Sequence, residues 1–281
     1  MIAMVGAALA SGALVGFSLG LVGGGGSILA TPLLLYVVGV AQPHIAIGTG
    51  ALAVSANAFA NLGGHARAGN VRWRCAIVFA VIGTLGAFAG SSLGKLVDGN
   101  NLLFLFGLLM IAVGALMLRP RRENAAPERP ADLRTCLITG GVSLSAGMAS
   151  GFFGIGGGFL IVPSLMLATR MPMIKAVGSS LLAVGSFGLA TAVNYSFSGL
   201  VNWPVAGEFI AGGVVGGLLG LMLANRLSAQ KNTLNRIFAG LIFVVTAYVL
   251  YRSGTTLLTQ WSHCYSQSTW PCRSAHLAVA R

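Results

Sequence analysis

Gly16-Phe17-Ser18-Leu19-Gly20-Leu21-Val22-Gly23-Gly24-Gly25-Gly26-Ser27-Ile28-Leu29-Ala30-Thr31-Pro32 is an apolar stretch interrupted by a run of glycines and closed by a proline. The chain carries it twice. Gly147-Met148-Ala149-Ser150-Gly151-Phe152-Phe153-Gly154-Ile155-Gly156-Gly157-Gly158-Phe159-Leu160-Ile161-Val162-Pro163 repeats the pattern. Gly16, Gly20, Gly23, Gly25, Gly26 and Pro32 fall on Gly147, Gly151, Gly154, Gly156, Gly157 and Pro163 without a gap. The register then holds. Ala46-Ile47-Gly48-Thr49 matches Ala176-Val177-Gly178-Ser179, and Gly69-Asn70-Val71-Arg72-Trp73 matches Gly199-Leu200-Val201-Asn202-Trp203. Gly83, Gly86 and Gly90 match Gly213, Gly216 and Gly220. Unrelated apolar helices would not keep so constant a shift, so the chain is a duplication.

The solvent for these repeats is lipid. Hydrophobic residues make up 56% of the chain and charged residues only 8%, against about 25% charged in a soluble domain. No Asp, Glu, Lys or Arg occurs in residues 1–66, 75–94, 99–118, 135–169 or 176–207. A membrane span needs about 20 mainly apolar residues, so several spans fill the chain. Ala8-Leu9-Ala10 looks like a cleavage site, but no basic segment precedes it and the apolar run continues, so residues 2–40 read as membrane-embedded rather than as a leader. The net charge of +12 comes from short basic loops that set orientation; it does not call for a nucleic-acid partner. The cysteines show no metal-ligand spacing. Cys264 and Cys272 could pair in an oxidising compartment or stay free.

The expected fold is an all-α polytopic membrane protein of two homologous halves, each a Gly-broken helical hairpin followed by three transmembrane helices. Residues 1–118 form the first repeat, 119–134 a cytoplasmic linker, 135–252 the second repeat and 253–281 an extracytoplasmic tail. The hairpins cover about 2–40 and 136–169. The spans follow at about 45–62, 75–97 and 101–118, then 175–196, 204–225 and 234–252. Basic residues orient the halves. With the arginine-rich linker inside, an inverted repeat puts every one of the 17 Lys and Arg inside except Lys95, Arg252, Arg273 and Arg281. Parallel halves would place the loop of Arg67, Arg72 and Arg74 on the same face as its uncharged equivalent at 196–208. Inverted repeats imply alternating access, and hence transport.

The glycine runs mark the candidate site. Gly costs a helix about 1 kcal/mol relative to Ala, so Gly23, Gly24, Gly25 and Gly26, with Gly154, Gly156, Gly157 and Gly158, break their spans. Residues 27–40 would reach only about 21 Å as a helix, short of a hydrocarbon core of about 30 Å. A helix begun at depth exposes N–H groups that lipid cannot satisfy and that suit an anion. Ser27 or Thr31 is placed to cap the first short helix near Pro32, and Pro163 repeats that proline. Two such N-termini are expected to meet near the midplane, helped by Thr49, Asn57, Asn61, Ser179, Ser180 and Asn194. Glu208 and His44 are candidates for proton coupling, and His65 is a further titratable group; each also fits a plain role at a span end. By contrast, Gly86, Gly90 and Gly94, and Gly212, Gly216 and Gly220, have the small-xxx-small spacing of helix packing.

These duplicated glycine motifs, each followed by proline, resemble those of the TauE/SafE family of sulfite exporters over roughly residues 5–252. The resemblance implies transport of small sulfur-containing anions such as sulfite, thiosulfate or organosulfonates. The expected partners are a small anionic substrate, the lipid bilayer and a co-transported proton, with no cofactor and no fixed oligomeric state. The expected location is the cell inner membrane. The membrane potential is worth about 2.3 kcal/mol per charge per 100 mV, so export of an anion would run downhill without coupling, whereas import would need co-moved cations; the resemblance does not fix the direction. An anion channel is one rival reading. An intramembrane enzyme is another, since Gly90-Ser91-Ser92-Leu93-Gly94 fits the G-x-S-x-G form, though without the strand-to-helix elbow or histidine that the form needs.

Overall fold

The structure is a computed structural model and describes residues 2–118, 133–154, 160–162, 164–165, 171, 173–227 and 240. The chain begins with α1 (Ile2–Val22), a 3-10 segment (Gly23–Leu29) and the short α2 (Ala30–Tyr36). Then come α3 (Pro43–Arg67), α4 (Trp73–Gly94) and α5 (Gly99–Leu118). The second half gives α6 (Leu133–Phe153), α7 (Met173–Phe197) and α8 (Trp203–Leu227). The described residues contain no strand. Among the described residues five helical segments are long and apolar enough to cross a membrane: Met4–Val22, Pro43–Arg67, Trp73–Gly94, Ile174–Phe197 and Trp203–Arg226. The chain is therefore a multi-pass membrane protein. Most of the linker 119–134, the glycines Gly156 to Gly158, Pro163, most of the last expected span (234–252) and the tail 253–281 lie outside the described residues.

Helix pairing follows the glycines. In α1, a methyl group at Gly12, Gly16 or Gly20 would sit 2.1, 1.9 or 2.4 Å from the carbonyl oxygens of Phe209, Gly213 and Gly217 on α8. The α8 glycines reciprocate: Gly212, Gly216 and Gly220 abut the carbonyls of Leu9, Ala13 and Phe17. The same interface recurs between α4 and α6. Gly147 and Gly151 meet the carbonyls of Gly83 and Ala87, and Gly86, Gly90 and Gly94 meet those of Leu144, Met148 and Phe152. Only backbone fits at these approaches, which is how small residues drive helix association where lipid supplies no hydrophobic force. Residue numbers rise together in both pairs, so α1 runs parallel to α8 and α4 parallel to α6.

Between these pairs lie α3 and α7, the equivalent helices of the two halves. A methyl at Gly48 would touch the Leu200 carbonyl, the Ser55 hydroxyl donates to the Gly185 carbonyl at 2.7 Å, and Gly178 lies against the Asn70 carbonyl. Numbers that rise on one helix fall on the other, so α3 and α7 are antiparallel. The interior holds Leu19, Ile28, Leu34, Phe79, Phe187 and Phe209, each fully buried. The outward faces are apolar too: Val81, Leu85 and Phe88 on α4, and Val215, Leu219 and Met222 on α8 are exposed, as lipid-facing surfaces require. Gly90 to Gly94 is helical, the last turn of α4. There the Ser91 hydroxyl donates to the Phe88 carbonyl, so the segment makes no nucleophile elbow.

Candidate functional site

The first glycine run ends α1 by a backbone reversal. Gly23 has φ +68°, a left-handed conformation that glycine adopts without steric cost. Gly154, its equivalent, has φ +65° at the end of α6. In an unbroken α-helix the Gly24 N–H would close on the Gly20 carbonyl. Instead it donates to the Ser180 hydroxyl on α7 at 3.2 Å, and the Gly20 carbonyl lies 3.0 Å from Nε2 of His65 on α3. Both groups are thus satisfied by side chains of neighbouring helices, as a break at membrane depth demands. The Ser180 hydroxyl donates in turn to the Val177 carbonyl at 2.8 Å.

The expected cap is not made. The Ser27 hydroxyl donates back to the Gly24 carbonyl at 2.8 Å, and neither the 3-10 segment nor α2 has a side-chain cap. The 3-10 segment runs into α2 through Leu29 and Ala30, both in right-handed helical conformation, and the Ala30 N–H bonds to the Ser27 carbonyl. There is accordingly no free helix end for Ser27 or Thr31 to close. The Thr31 hydroxyl is buried with no partner, close to Gly50 on α3, and Pro32 is buried within α2.

The two described breaks do not meet at the midplane. Gly23 packs on Val177 and Ser180 near the start of α7, whereas Gly154 packs on Ile47 near the start of α3. Because α3 and α7 are antiparallel, these starts lie at opposite ends of the pair. Ile47 and His65, the residue that reaches Gly20, are about 27 Å apart along α3 at 1.5 Å per residue. The pseudo-symmetry therefore relates two separate breaks.

The remaining expected residues divide between the ends and the middle. At one end Ser179 accepts the Arg72 N–H at 2.9 Å; at the other Thr49 accepts the Asn202 N–H at 2.9 Å. Asn57 and Asn61 lie where α3 meets α1 and α8: Asn57 against Gly213, and Asn61 against Gly20 and Gly217. Nδ2 of Asn61 donates to the Asn57 carbonyl at 2.9 Å, while both side-chain amide atoms of Asn57 are buried without a partner. Glu208 is half-buried in the second turn of α8. His44 opens α3 with its Nδ1 buried and unpartnered, its ring 6.3 Å from that of Tyr195. No cluster of His, Cys, Asp and Glu among the described residues could hold a metal ion.

Asn194 belongs to a network that the sequence did not reveal. Its Nδ2 donates to the hydroxyls of Ser91 at 2.6 Å and Ser92 at 3.0 Å. Nζ of Lys95 donates to Asn194 Oδ1 at 2.8 Å, to the Asn194 carbonyl at 3.2 Å and to the Ser198 hydroxyl at 3.0 Å. The ammonium also lies 5.8 Å from the centre of the Tyr195 ring. One signal was available: Lys95 is the single basic residue before position 252 that falls on the wrong face of the expected topology.

Comparison with known proteins identifies a family for the chain. Residues 8–249 match the family described as "Sulfite exporter TauE/SafE". A probable membrane transporter protein of Xylella fastidiosa strain Temecula1 is 62% identical over 251 residues, covering 89% of this chain and 96% of that protein. The probable membrane transporter protein YunE of Bacillus subtilis is 26% identical, covering 82% and 92%. An Arabidopsis thaliana protein named sulfite exporter TauE/SafE family protein 5 is 36% identical over 99 residues, covering 35% of this chain and 22% of that protein. No solved structure matches the chain. A match over nearly the whole chain, on a multi-pass helical scaffold with duplicated glycine breaks, places this chain in the TauE/SafE family of membrane transporters.

Proposed function

We propose that the protein is a secondary transporter that exports small sulfur-containing anions such as sulfite, thiosulfate or organosulfonates across the cell inner membrane, by alternating access between inverted halves. The observation that carries the mechanism is the antiparallel course of α3 and α7. Equivalent helices run the same way when halves are related by an axis along the membrane normal, and opposite ways when the axis lies in the membrane plane. Reciprocal contacts support the second case: α1 packs on α8 as α6 packs on α4. Inverted halves rocking about a central pair expose first one face and then the other.

The substrate class draws support from the family description and from the chemistry at the breaks. Beside the first break the Thr31 hydroxyl is buried without a partner, and the Gly24 N–H and the Ser27 and Ser180 hydroxyls, now bonded within the protein, are donors that an anion could draw on. Export is the direction that an inside-negative potential drives for an anion; import would need co-moved protons, with Glu208 and His44 as the groups to carry them.

The test is uptake of labelled sulfite, thiosulfate, a small organosulfonate and chloride into proteoliposomes, with and without a pH gradient. Saturable movement of a sulfur oxyanion but not of chloride supports the proposal. Absence of all four fluxes, with protein shown to be folded and inserted, refutes it, and single-channel conductance would reassign it as a pore.

A further inference from the structure

Lys95 ends α4 on the face away from the basic loops in the topology proposed above. A lysine at a helix C-terminus ordinarily extends its ammonium into water, where it also favours the helix dipole. Lys95 does otherwise. Its ammonium turns towards α7, in the other half of the protein, and gives its hydrogen bonds to the neutral oxygens of Asn194 and Ser198. Asn194 is itself held by Ser91 and Ser92 on α4. Asp98, the nearest carboxylate in sequence, is exposed, and among the described residues no ion pair joins it to Lys95. A half-buried cation is thus held in place with no anion beside it among the described residues. The Tyr195 ring lies 5.8 Å from the ammonium and its hydroxyl is buried without a partner, as is Nδ1 of His44, whose ring is 6.3 Å from that of Tyr195.

The other end of the molecule shows what the duplication makes without the charge. Asn225 stands in the place of Lys95 and His65 in the place of Tyr195. There Nε2 of His65 reaches the Gly20 carbonyl, while Nδ2 of Asn70 lies 3.5 Å from His65 Nδ1 and donates to Asn225 Oδ1 at 3.2 Å. At these matching positions the side chains are uncharged and bond to one another, although the arginines of the basic loops, Arg67, Arg72, Arg74 and Arg226, flank them. At equivalent positions of the duplicated scaffold the two mouths therefore differ, with a lysine held by neutral oxygens at one and an asparagine at the other.

We infer that Lys95, with Asn194, Ser198 and Tyr195, forms an oxyanion-docking site at the mouth away from the basic loops, where the cargo exchanges with the neutral oxygens now bound to the ammonium. This rests on the anion-transport reading above. An anionic oxygen adds a charge–charge attraction to the ammonium that the neutral oxygens lack, so an oxyanion displaces the Asn194 and Ser198 oxygens. Lys95 and Asn194 lie in different halves, so this exchange also removes bonds that tie the halves together at that mouth. Docking and opening are then one event.

The experiment compares wild type, Lys95→Gln and Lys95→Arg in proteoliposomes, with labelled thiosulfate offered separately on each face. The expected result is a half-saturation concentration raised at least tenfold in K95Q on the Lys95 face, changed less than twofold on the other face, and largely restored in K95R. Equal shifts on both faces, or none, overturn the site while leaving wild-type transport intact. An oxyanion also arrives on lipid headgroups, so thermal stability is measured with and without phosphatidylglycerol. A lipid-dependent gain that K95Q abolishes, together with unchanged half-saturation, assigns Lys95 to lipid and overturns the cargo site. Wild-type vesicles that carry no anion overturn the transport reading itself, and the docking site with it.

Discussion

The Thr49 hydroxyl accepts the backbone N–H of Asn202 at 2.9 Å, joining α3 of the first half to the loop that opens α8 of the second. The Ser179 hydroxyl accepts the N–H of Arg72 at the same distance, and in the duplication Ser179 is the partner of Thr49 and Arg72 that of Asn202. Each half thus lends a hydroxyl to the first turn of a helix in the other, at opposite ends of the molecule. Thr49→Val and Ser179→Ala should each cost about 1 kcal/mol of stability. Because the sites share no partner, their effects should add in the double variant. Thermal unfolding of the purified protein in detergent measures both statements; a double variant far from the sum would show that the ends are coupled.

The close approaches make a sharper contrast. Gly16→Leu or Gly147→Leu should prevent assembly, since even a methyl group would lie 1.9 or 2.0 Å from the carbonyl oxygen of Gly213 or Gly83. Gly207→Ala in α8 meets nothing within 4 Å and should be neutral or stabilising by up to about 1 kcal/mol. The yield of folded protein extracted from membranes separates the two classes.

Four positive-φ glycines form two equivalent pairs that should respond differently. Gly69 and Gly199 adopt φ of +70° and +68° in open loops, where an added methyl meets nothing. Alanine at either should cost about 1–2 kcal/mol for the left-handed conformation alone. Gly23 and Gly154 share that conformation but face Ser180 Oγ at 2.9 Å and Ile47 Cγ2 at 1.9 Å. Gly23→Ala and Gly154→Ala should cost clearly more, as read from the shift in unfolding temperature.

The duplication was legible because it is written in residues with few substitutes. Glycines at Gly16, Gly83, Gly147 and Gly213 mark backbone contacts that no side chain can replace, so their spacing survives in both halves. The packing role expected for Gly86, Gly90 and Gly94, and for Gly212, Gly216 and Gly220, follows for the same reason. The cap expected at Ser27 was not legible, because apolar sequence does not distinguish a helix that restarts from one that tightens into a 3-10 turn and continues. Nor was the separation of the breaks. A repeat says that Gly23 and Gly154 are equivalent, and only the antiparallel packing of α3 on α7 says that equivalence sends them to opposite ends. Lys95 stands out in the sequence only as a basic residue on the unexpected face, because its partners, Asn194 and Ser198, lie about a hundred residues away.

If the first glycine run serves the cargo, Gly25→Leu should abolish anion flux while the protein still inserts in the membrane. Flux assays paired with quantified insertion check this, and undiminished flux would remove Gly23 to Gly26 from the site.

Alternating access between the two halves is tested most directly by labelling single cysteines at the two ends. Ser198→Cys and Asn225→Cys are each placed in a background without Cys75, Cys136, Cys264 and Cys272, and reacted with a membrane-impermeant thiol reagent as thiosulfate is added. The account predicts that saturating anion changes the two labelling rates in opposite directions, one mouth opening as the other closes. Rates that rise together, as in a continuous pore, or that do not respond in protein shown to carry thiosulfate, would contradict it.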